Sequence, residues 1–348
     1  MNTNSPIKLE KARKGGDVNI HLITSKKDLE TIPELKDLKK KIAERIGDEE
    51  LVFSVPSAKG LTIIAKIKKE TETGYRFQSA RSLGAKLKKV LNGEKAESAS
   101  LISSADRVDT LAVIEGIVLA NYQFLTYKTG DRNKPNTLQS LGVKAEGVSE
   151  KDLKELYDVA VGTFAARDFV NEPVITLSAT EWSKRITKLG KETGFKTTVL
   201  DKKKIEALRM GGLLGVNKGS VEPPTFNILE WKPKNAKNKK PIVLVGKGVV
   251  YDTGGYNIKT AQMAQMKSDM GGGAAVCGAF AAIAANKLPV YVVGLIPATD
   301  NRIDGKAIVA DDVLTMMSGT KVEILNTDAE GRLILADALH YAKQYDPE

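Results

Sequence analysis

Lys321-Val322-Glu323-Ile324-Leu325 followed by Asn326-Thr327-Asp328-Ala329-Glu330-Gly331-Arg332-Leu333, near the C-terminal end, is the stretch on which the reading of the fold turns. The first five residues alternate polar and apolar, the period of a strand. Leu333-Ile334-Leu335-Ala336-Asp337-Ala338-Leu339 then reads as the start of a helix. In an extended backbone Asp328 and Glu330, two apart, direct their carboxylates to one side. Gly331 offers a permissive turn, and Arg332 falls in the first helical turn, where free backbone N–H groups favour an anion. Two carboxylates and a guanidinium crowded at a strand's carboxyl end are costly unless a cation sits between them. A metal ion is the natural candidate.

Working backward, Pro241-Ile242-Val243-Leu244-Val245-Gly246 is a continuous apolar run, as in a strand buried on both faces of a parallel sheet. Lys247-Gly248-Val249-Val250-Tyr251-Asp252-Thr253-Gly254-Gly255 and Lys259 stand at its carboxyl end. Met266-Lys267-Ser268-Asp269-Met270-Gly271-Gly272-Gly273 opens an Ala/Gly-rich helix to about Ala285, and small residues let such a helix lie close on a sheet. Tyr291 to Ile296 is the next strand. Strand, helix, strand predicts a parallel sheet with ligands outside the carboxyl ends of its strands. Lys247, Asp252, Asp269, Asp328 and Glu330 all fall near such ends. Singly they read as a loop lysine, a helix N-cap and a solvated turn; together, with the glycine spacing, they read as a site.

The 348 residues suit two domains at about 150 residues each. Residues 17–23 alternate as a strand that includes His21, and 28–46 show helical spacing at Leu29, Ile32, Leu35, Leu38 and Ile42. A strand at 61–67 and helices at 81–91 and 106–124 complete a small α/β domain without a catalytic motif. The polar stretch 129–149 marks a boundary, giving an assembly or regulatory domain over 1–148 and a catalytic domain over 149–348. Ser149 and Asp152 form a capping-box pattern for a helix to about Val170, which Asn171-Glu172-Pro173 ends. Helices at 178–189 and 202–210 and strands at 196–200 and 226–231 follow. The lysines between 232 and 240 read as a solvated hairpin tip. Met210-Gly211-Gly212-Leu213-Leu214-Gly215 lacks phosphate-loop spacing and is given no such role.

No apolar run approaches the ~18–20 residues of a membrane span, and Met1 to Pro6 hold no apolar core of a secretory signal. Cys277 is the single cysteine, so no internal disulfide forms and a cytoplasmic location is the default. With only His21 and His340, a metal site must rest on carboxylates with lysine or backbone help. The net charge of +10 is spread over the chain as solvated lysine. No aromatic residues interleave the basic ones at 232–240, so nucleic acid is not the favoured partner.

Val245-Gly246-Lys247-Gly248, Asp252-Thr253-Gly254-Gly255, Lys259, Met266 to Gly272 and the 326–333 octapeptide resemble the leucyl aminopeptidase (cytosol aminopeptidase) family of dinuclear metallopeptidases. Ala166 to Pro173, Gly219 to Pro224 and Glu115 to Lys128 extend the resemblance over most of the chain. It implies a small N-terminal α/β domain followed by a larger α/β catalytic domain with a mainly parallel central sheet. It also implies two divalent ions, zinc or manganese, magnesium or cobalt. Lys247, Asp252, Asp269 and Glu330 would hold the tighter ion, and Asp252, Asp328 and Glu330 the more exchangeable one. A lysine ligand is chemically reasonable, because a dication at contact distance displaces the ammonium proton.

By the same resemblance, Asp269 lies near the substrate's α-amine, Lys259 stabilises the oxyanion, and Arg332 holds a bicarbonate that serves as base. Met266 lines a pocket for an apolar, leucine-like first residue. The function implied is a metal-dependent aminopeptidase acting on peptides, a cytoplasmic homohexamer. The alternatives are a non-catalytic or DNA-binding member of the family, which the +10 charge would suit, or an inactive fragment. Lys259 and Arg332 beside the ligands argue for catalysis. The sequence departs from the family pattern twice. The loop Thr260-Ala261-Gln262-Met263-Ala264-Gln265 is one residue shorter than usual, and the family continues well beyond Glu348. The expectation is a C-terminally truncated chain, weakly active, inactive or poorly folded, from an active parent.

Overall fold

The computed structural model describes residues 6–12, 17–46, 51–57, 60–68 and 72–348. Of the segment read as lacking a signal core, Met1 to Ser5 lie outside the described residues. The chain forms two compact units, Met1–Ala160 and Val161–Glu348.

In the first unit, strands β1 (Lys8–Lys11), β2 (Val18–Ile23), β3 (Leu51–Ser57), β4 (Gly60–Lys66), β5 (Ser98–Ser103) and β6 (Ser140–Ala145) form one sheet in the order β1-β6-β5-β2-β4-β3. All pairs are parallel except β3 with β4. β6 lies within the stretch read as a polar boundary. Its Leu141 and Val143 are fully buried between β1 and β5, a short alternation that the surrounding polar residues obscure.

The helix expected over 28–46 forms only in part. Lys26–Thr31 and Pro33–Leu38 are 3₁₀ turns, and helix α1 covers Lys39–Arg45. Pro33 supplies no N–H to continue a helix, and the Asp28 carboxylate caps the first turn by accepting from the Thr24 and Ser25 amides at 2.8 and 2.9 Å. Leu29, Ile32, Leu35 and Ile42 are still buried, so the apolar pattern holds while the helical period fails. Helices α2 (Thr73–Gly93) and α3 (Arg107–Ala120) meet backbone to backbone at Gly84 and Gly116, where a Cβ would lie 2.1 Å from a carbonyl oxygen of the other helix. Helix α4 (Glu150–Asn171) begins with the expected box: Ser149 Oγ accepts from the Asp152 amide, and Asp152 accepts from the Ser149 amide and hydroxyl.

The second unit holds α5 (Ala179–Thr193), β7 (Lys196–Leu200), α6 (Lys202–Ala207), α7 (Gly211–Asn217), β8 (Thr225–Trp231), β9 (Ile242–Val245), β10 (Gly248–Asp252), α8 (Gly271–Ala285), β11 (Val292–Asn301), β12 (Val313–Thr315), β13 (Lys321–Glu323) and α9 (Glu330–Ala342). All residues of β11 are buried, and it is the spine of the sheet. β9 and β10 run parallel to it, end to end along one edge. β8 runs antiparallel along its other edge, with β7 beyond.

Two local readings change here. β8 and β9 flank β11 on opposite sides, so the lysine-rich 232–240 segment is a crossover and not a hairpin tip. Asn238 secures it, donating to the Tyr291 carbonyl and accepting from the Tyr291 amide, both at 2.8 Å. β9 is only half-buried, with Ile242 44% exposed, in place of the strand buried on both faces that its apolar run predicts.

Alternate residues of β11 serve two cores. Val292, Ile296 and Ala298 pack with Trp182 and Ile186 of α5 and Ala274 and Phe280 of α8. Val293 and Leu295 pack with Leu213 and Val216 of α7 and Leu333 and Ile334 of α9. This is a three-layer α/β/α arrangement built on period-two alternation. Buried Asp337 ties α9 in place by accepting from the Leu213 amide at 3.0 Å and the Met317 amide at 2.9 Å. The apolar stretch Met263–Ala285 is half buried, and α8 within it is 15 residues, ~22 Å against a ~30 Å hydrocarbon core. It is a core helix.

Candidate metal centre

Each carboxylate of interest sits where a regular element is broken. β9 and β10 are one line of chain interrupted at Gly246-Lys247. There the backbone runs against the start of α8. A Cβ on Gly246 would lie 2.6 Å from Gly273 Cα, and the Gly273 amide donates to the Lys247 carbonyl at 2.8 Å. Asp252 ends β10 after a register shift. Asp269 ends a 3₁₀ turn, Met263–Ser268, just before α8.

The 326–330 segment is not a strand end. β13 pairs only with β12, away from the main sheet, and Thr327–Ala329 is a 3₁₀ turn leading directly into α9. Asp328 and Glu330 are therefore carried on a helical turn rather than an extended backbone. Gly331 is helical too. Its lack of a side chain clears the Lys247 chain, whose Cε would be 2.7 Å from a Cβ.

These breaks bring the acidic residues together. Asp252, Asp269 and Glu330 each offer an oxygen within 4.8 Å of the others. Asp252 and Glu330 are each 1% exposed. Lys247 Nζ lies 2.7 Å from Asp269 Oδ2 and 2.7 Å from Glu330 Oε1. Lys259 Nζ lies 2.7 Å from Asp252 Oδ2 and 2.5 Å from Asp328 Oδ1, which draws Asp328 to the same group. Glu330 Oε2 is buried with no hydrogen-bond partner among the described residues.

Burial raises the Glu330 and Asp269 carboxyls above the usual range, with Lys247 pulling the other way. Burial also opposes the charge on Lys247, but its contacts with Asp269 and Glu330 prevail and raise it. Lys259 is raised likewise, Asp252 and Asp328 outweighing its desolvation.

A polar scaffold that sequence reading missed lies behind the cluster. Asn301, at the end of β11 and opposite Asp252 in register, donates from Nδ2 to Asp252 Oδ1 at 2.8 Å and to the Thr327 carbonyl at 3.1 Å. The Gly254 amide also donates to Asp252 Oδ1, at 2.8 Å. Thr327 Oγ1 donates to the Gly254 carbonyl at 2.6 Å and accepts from the Asn257 amide at 2.8 Å. The Thr327 amide donates to Asn257 Oδ1 at 2.8 Å. The strand expected from sequence stops at Ile296, whereas β11 runs on to Asn301, so the sequence reading carries no signal for that amide.

Met266 is half-buried on the 3₁₀ turn ahead of Asp269. Arg332 is exposed on the first turn of α9, and its guanidinium makes no ion pair among the described residues.

The catalytic-domain model of the cytosol aminopeptidase family matches residues 164–348. A probable cytosol aminopeptidase of Chlorobaculum tepidum is 48% identical over 250 residues, 68% of this chain and 49% of its own. That of Chloroherpeton thalassium is 44% identical over 275 residues, 74% of this chain and 54% of its own. The chain thus spans about half the length of the curated relatives it matches. Among solved structures, a tomato leucine aminopeptidase mutant superposes with a TM-score of 0.84 at 24% identity, over 99% of this chain and 73% of its own. That likeness concerns the fold. The bottromycin maturation enzyme BotP in complex with Mn gives a TM-score of 0.78 at 29% identity, over 93% of this chain and 68% of its own. With the family model matching residues 164–348, more than half of its length, the chain belongs to the cytosol aminopeptidase family.

Proposed function

We propose that the second unit carries the metal centre of an aminopeptidase that releases N-terminal residues from peptides. The observation that carries this reading is the convergence of Asp252, Asp269 and Glu330 within 4.8 Å, two of them almost wholly buried. Carboxylates so close and so dry repel one another, and dications offset that cost as no uncharged ligand could. The donor set fits a divalent metal: carboxylate oxygens, the unpartnered Glu330 Oε2 among them, and one amine. The complex of BotP with Mn supports a divalent ion in this fold.

Lys247, Asp252, Asp269 and Glu330 would hold one ion, and Asp252, Asp328 and Glu330 the other, with zinc, manganese, magnesium and cobalt as the candidates. Two such ions supply Lewis-acid polarisation of a scissile carbonyl and an activated water. Asp269, its side chain 22% exposed, would lie near the substrate's free α-amine, which confines cleavage to the first residue. Lys259, which reaches both Asp252 and Asp328, donates to the developing oxyanion. Arg332, without an ion pair among the described residues, would hold a bicarbonate, which would supply a base for the water's proton. Met266 lines the site for an apolar first side chain. The names of the relatives support a cytosolic location for such an enzyme.

The test is hydrolysis of leucine p-nitroanilide by the chain with and without added Mn²⁺, beside N-acetyl-leucine p-nitroanilide. Turnover that needs the metal, spares the acetylated substrate and vanishes in Asp328→Ala supports the reading. Equal cleavage of both substrates contradicts it.

A further inference from the structure

Asn301 has a place in this centre that its type alone does not announce. It is 2% exposed, and its side-chain amide has both hydrogens committed: one to Asp252 Oδ1, one to the Thr327 carbonyl. Its own carbonyl accepts from the Thr253 amide at 3.0 Å and the Thr253 hydroxyl at 2.9 Å. The same residue therefore grips the segment that carries Asp252 and the segment that carries Asp328 and Glu330. Those segments are more than seventy positions apart in the chain.

The consequence for Asp252 is specific. Its Oδ1 accepts from both the Asn301 amide and the Gly254 N–H, which uses the lone pairs of that oxygen. Oδ2 is the oxygen turned to Lys259. Without Asn301 the Asp252 Oδ1 keeps only the Gly254 N–H, and the 327 turn loses its only tie to the end of β11 among the described side-chain bonds.

We propose that Asn301 is a positioning residue of the metal centre: it fixes which oxygen of Asp252 faces the ions and sets the separation between Asp252 and the Asp328–Glu330 turn. This rests on the metal-centre reading above. An outer partner of this kind is commonly worth 10–100-fold in metal affinity, at order-of-magnitude precision.

The decisive variant is Asn301→Asp. It keeps the shape but replaces a double donor with an acceptor facing two acceptors. Its added negative charge would by itself tighten a cation, so a loss of affinity isolates the missing donor. Mn²⁺ binding to the full chain is followed by titration calorimetry, with Tm recorded in EDTA. Asn301→Ser serves as a second variant without added charge. Asn227→Ser is the control, because Asn227 is a buried sheet amide that bonds the Ile296 carbonyl. Both 301 variants are expected to bind Mn²⁺ roughly 10–100-fold more weakly, while the control loses Tm and keeps its affinity. Native affinity in a folded Asn301→Asp protein overturns the proposal. So does failure of both 301 variants to fold, which would make Asn301 part of the core alone. If the native chain itself binds no Mn²⁺, the metal-centre reading falls and takes this proposal with it, a result recognised from the native titration alone.

Discussion

Lys247 lies so closely across Gly331 that a Cβ on the glycine would sit 2.7 Å from its Cε and 2.9 Å from its Nζ. Lys247 comes from the break in the sheet edge and Gly331 from the first turn of α9, so this contact sets how near the amine stands to Glu330. The clash in Gly331→Ala falls on the mobile end of a lysine, not on backbone. We therefore expect the metal-free Tm to change little and Mn²⁺ affinity to fall by about tenfold or more, measured by thermal melts in EDTA beside titration calorimetry. Unchanged affinity would show that Lys247 is not held for a ligand role.

Lys259 joins Asp252 to Asp328 and, in the proposed reaction, donates to the oxyanion. Lys259→Met is expected to lower kcat by about 10²–10³ with a smaller change in KM. Steady-state kinetics on leucine p-nitroanilide checks this, and a loss confined to KM would reassign Lys259 to substrate binding.

In the first unit, Asp152 closes the α4 capping box and also accepts from Arg107, and these bonds hold its carboxyl well below the usual carboxylate range. A carboxyl depressed on folding adds stability above its unfolded pKa of about 4 and loses it as pH falls through the folded value. Asp152→Asn should then cost about 1 kcal/mol at pH 7, the usual worth of a cap. The gap between variant and native urea midpoints should narrow as pH drops below about 4. A gap independent of pH would mean the charge contributes nothing.

Cys277 is fully buried in α8 against the sheet, and burial pushes its thiol far above the ordinary range. The native chain should not react with Ellman's reagent, and the chain in guanidinium should release one equivalent of thionitrobenzoate. Rapid reaction of the native thiol would mean that α8 does not pack as described.

Much of this architecture is legible in the sequence because it rests on local chemistry. The apolar residues Tyr291 to Ile296 leading β11, the small residues of α8 and the Ser149–Asp152 box each state their element directly. The proposed ligand residues are legible as motifs: Asp252, Asp269 and Glu330 cluster, Lys247 pairs with two of them, and, among the described residues, Asp328 is joined to Asp252 only through Lys259. The local geometry behind them differs in part from what spacing predicts. An extended-strand rule places Asp328 and Glu330 on one side, whereas Asp328 lies in a 3₁₀ turn and Glu330 opens a helix. Gly331 reads as a turn residue, and it is a clearance for a lysine distant in sequence. Pro33 and the Asp28 cap overrule a helical period that apolar spacing alone supports. Asn301 and Thr327 escape a sequence reading because their worth lies in partners that only the folded chain brings near.

The most direct test of the central claim is metal content after equilibrium dialysis of the purified chain against Mn²⁺ or Zn²⁺, read by mass spectrometry. The account predicts about two equivalents per chain, as in two-metal hydrolytic sites, and a marked loss in Glu330→Gln, whose buried carboxylate is shared by both proposed positions. A native chain that retains no metal above the dialysis buffer, or a Glu330→Gln protein that retains as much as the native chain, would contradict it.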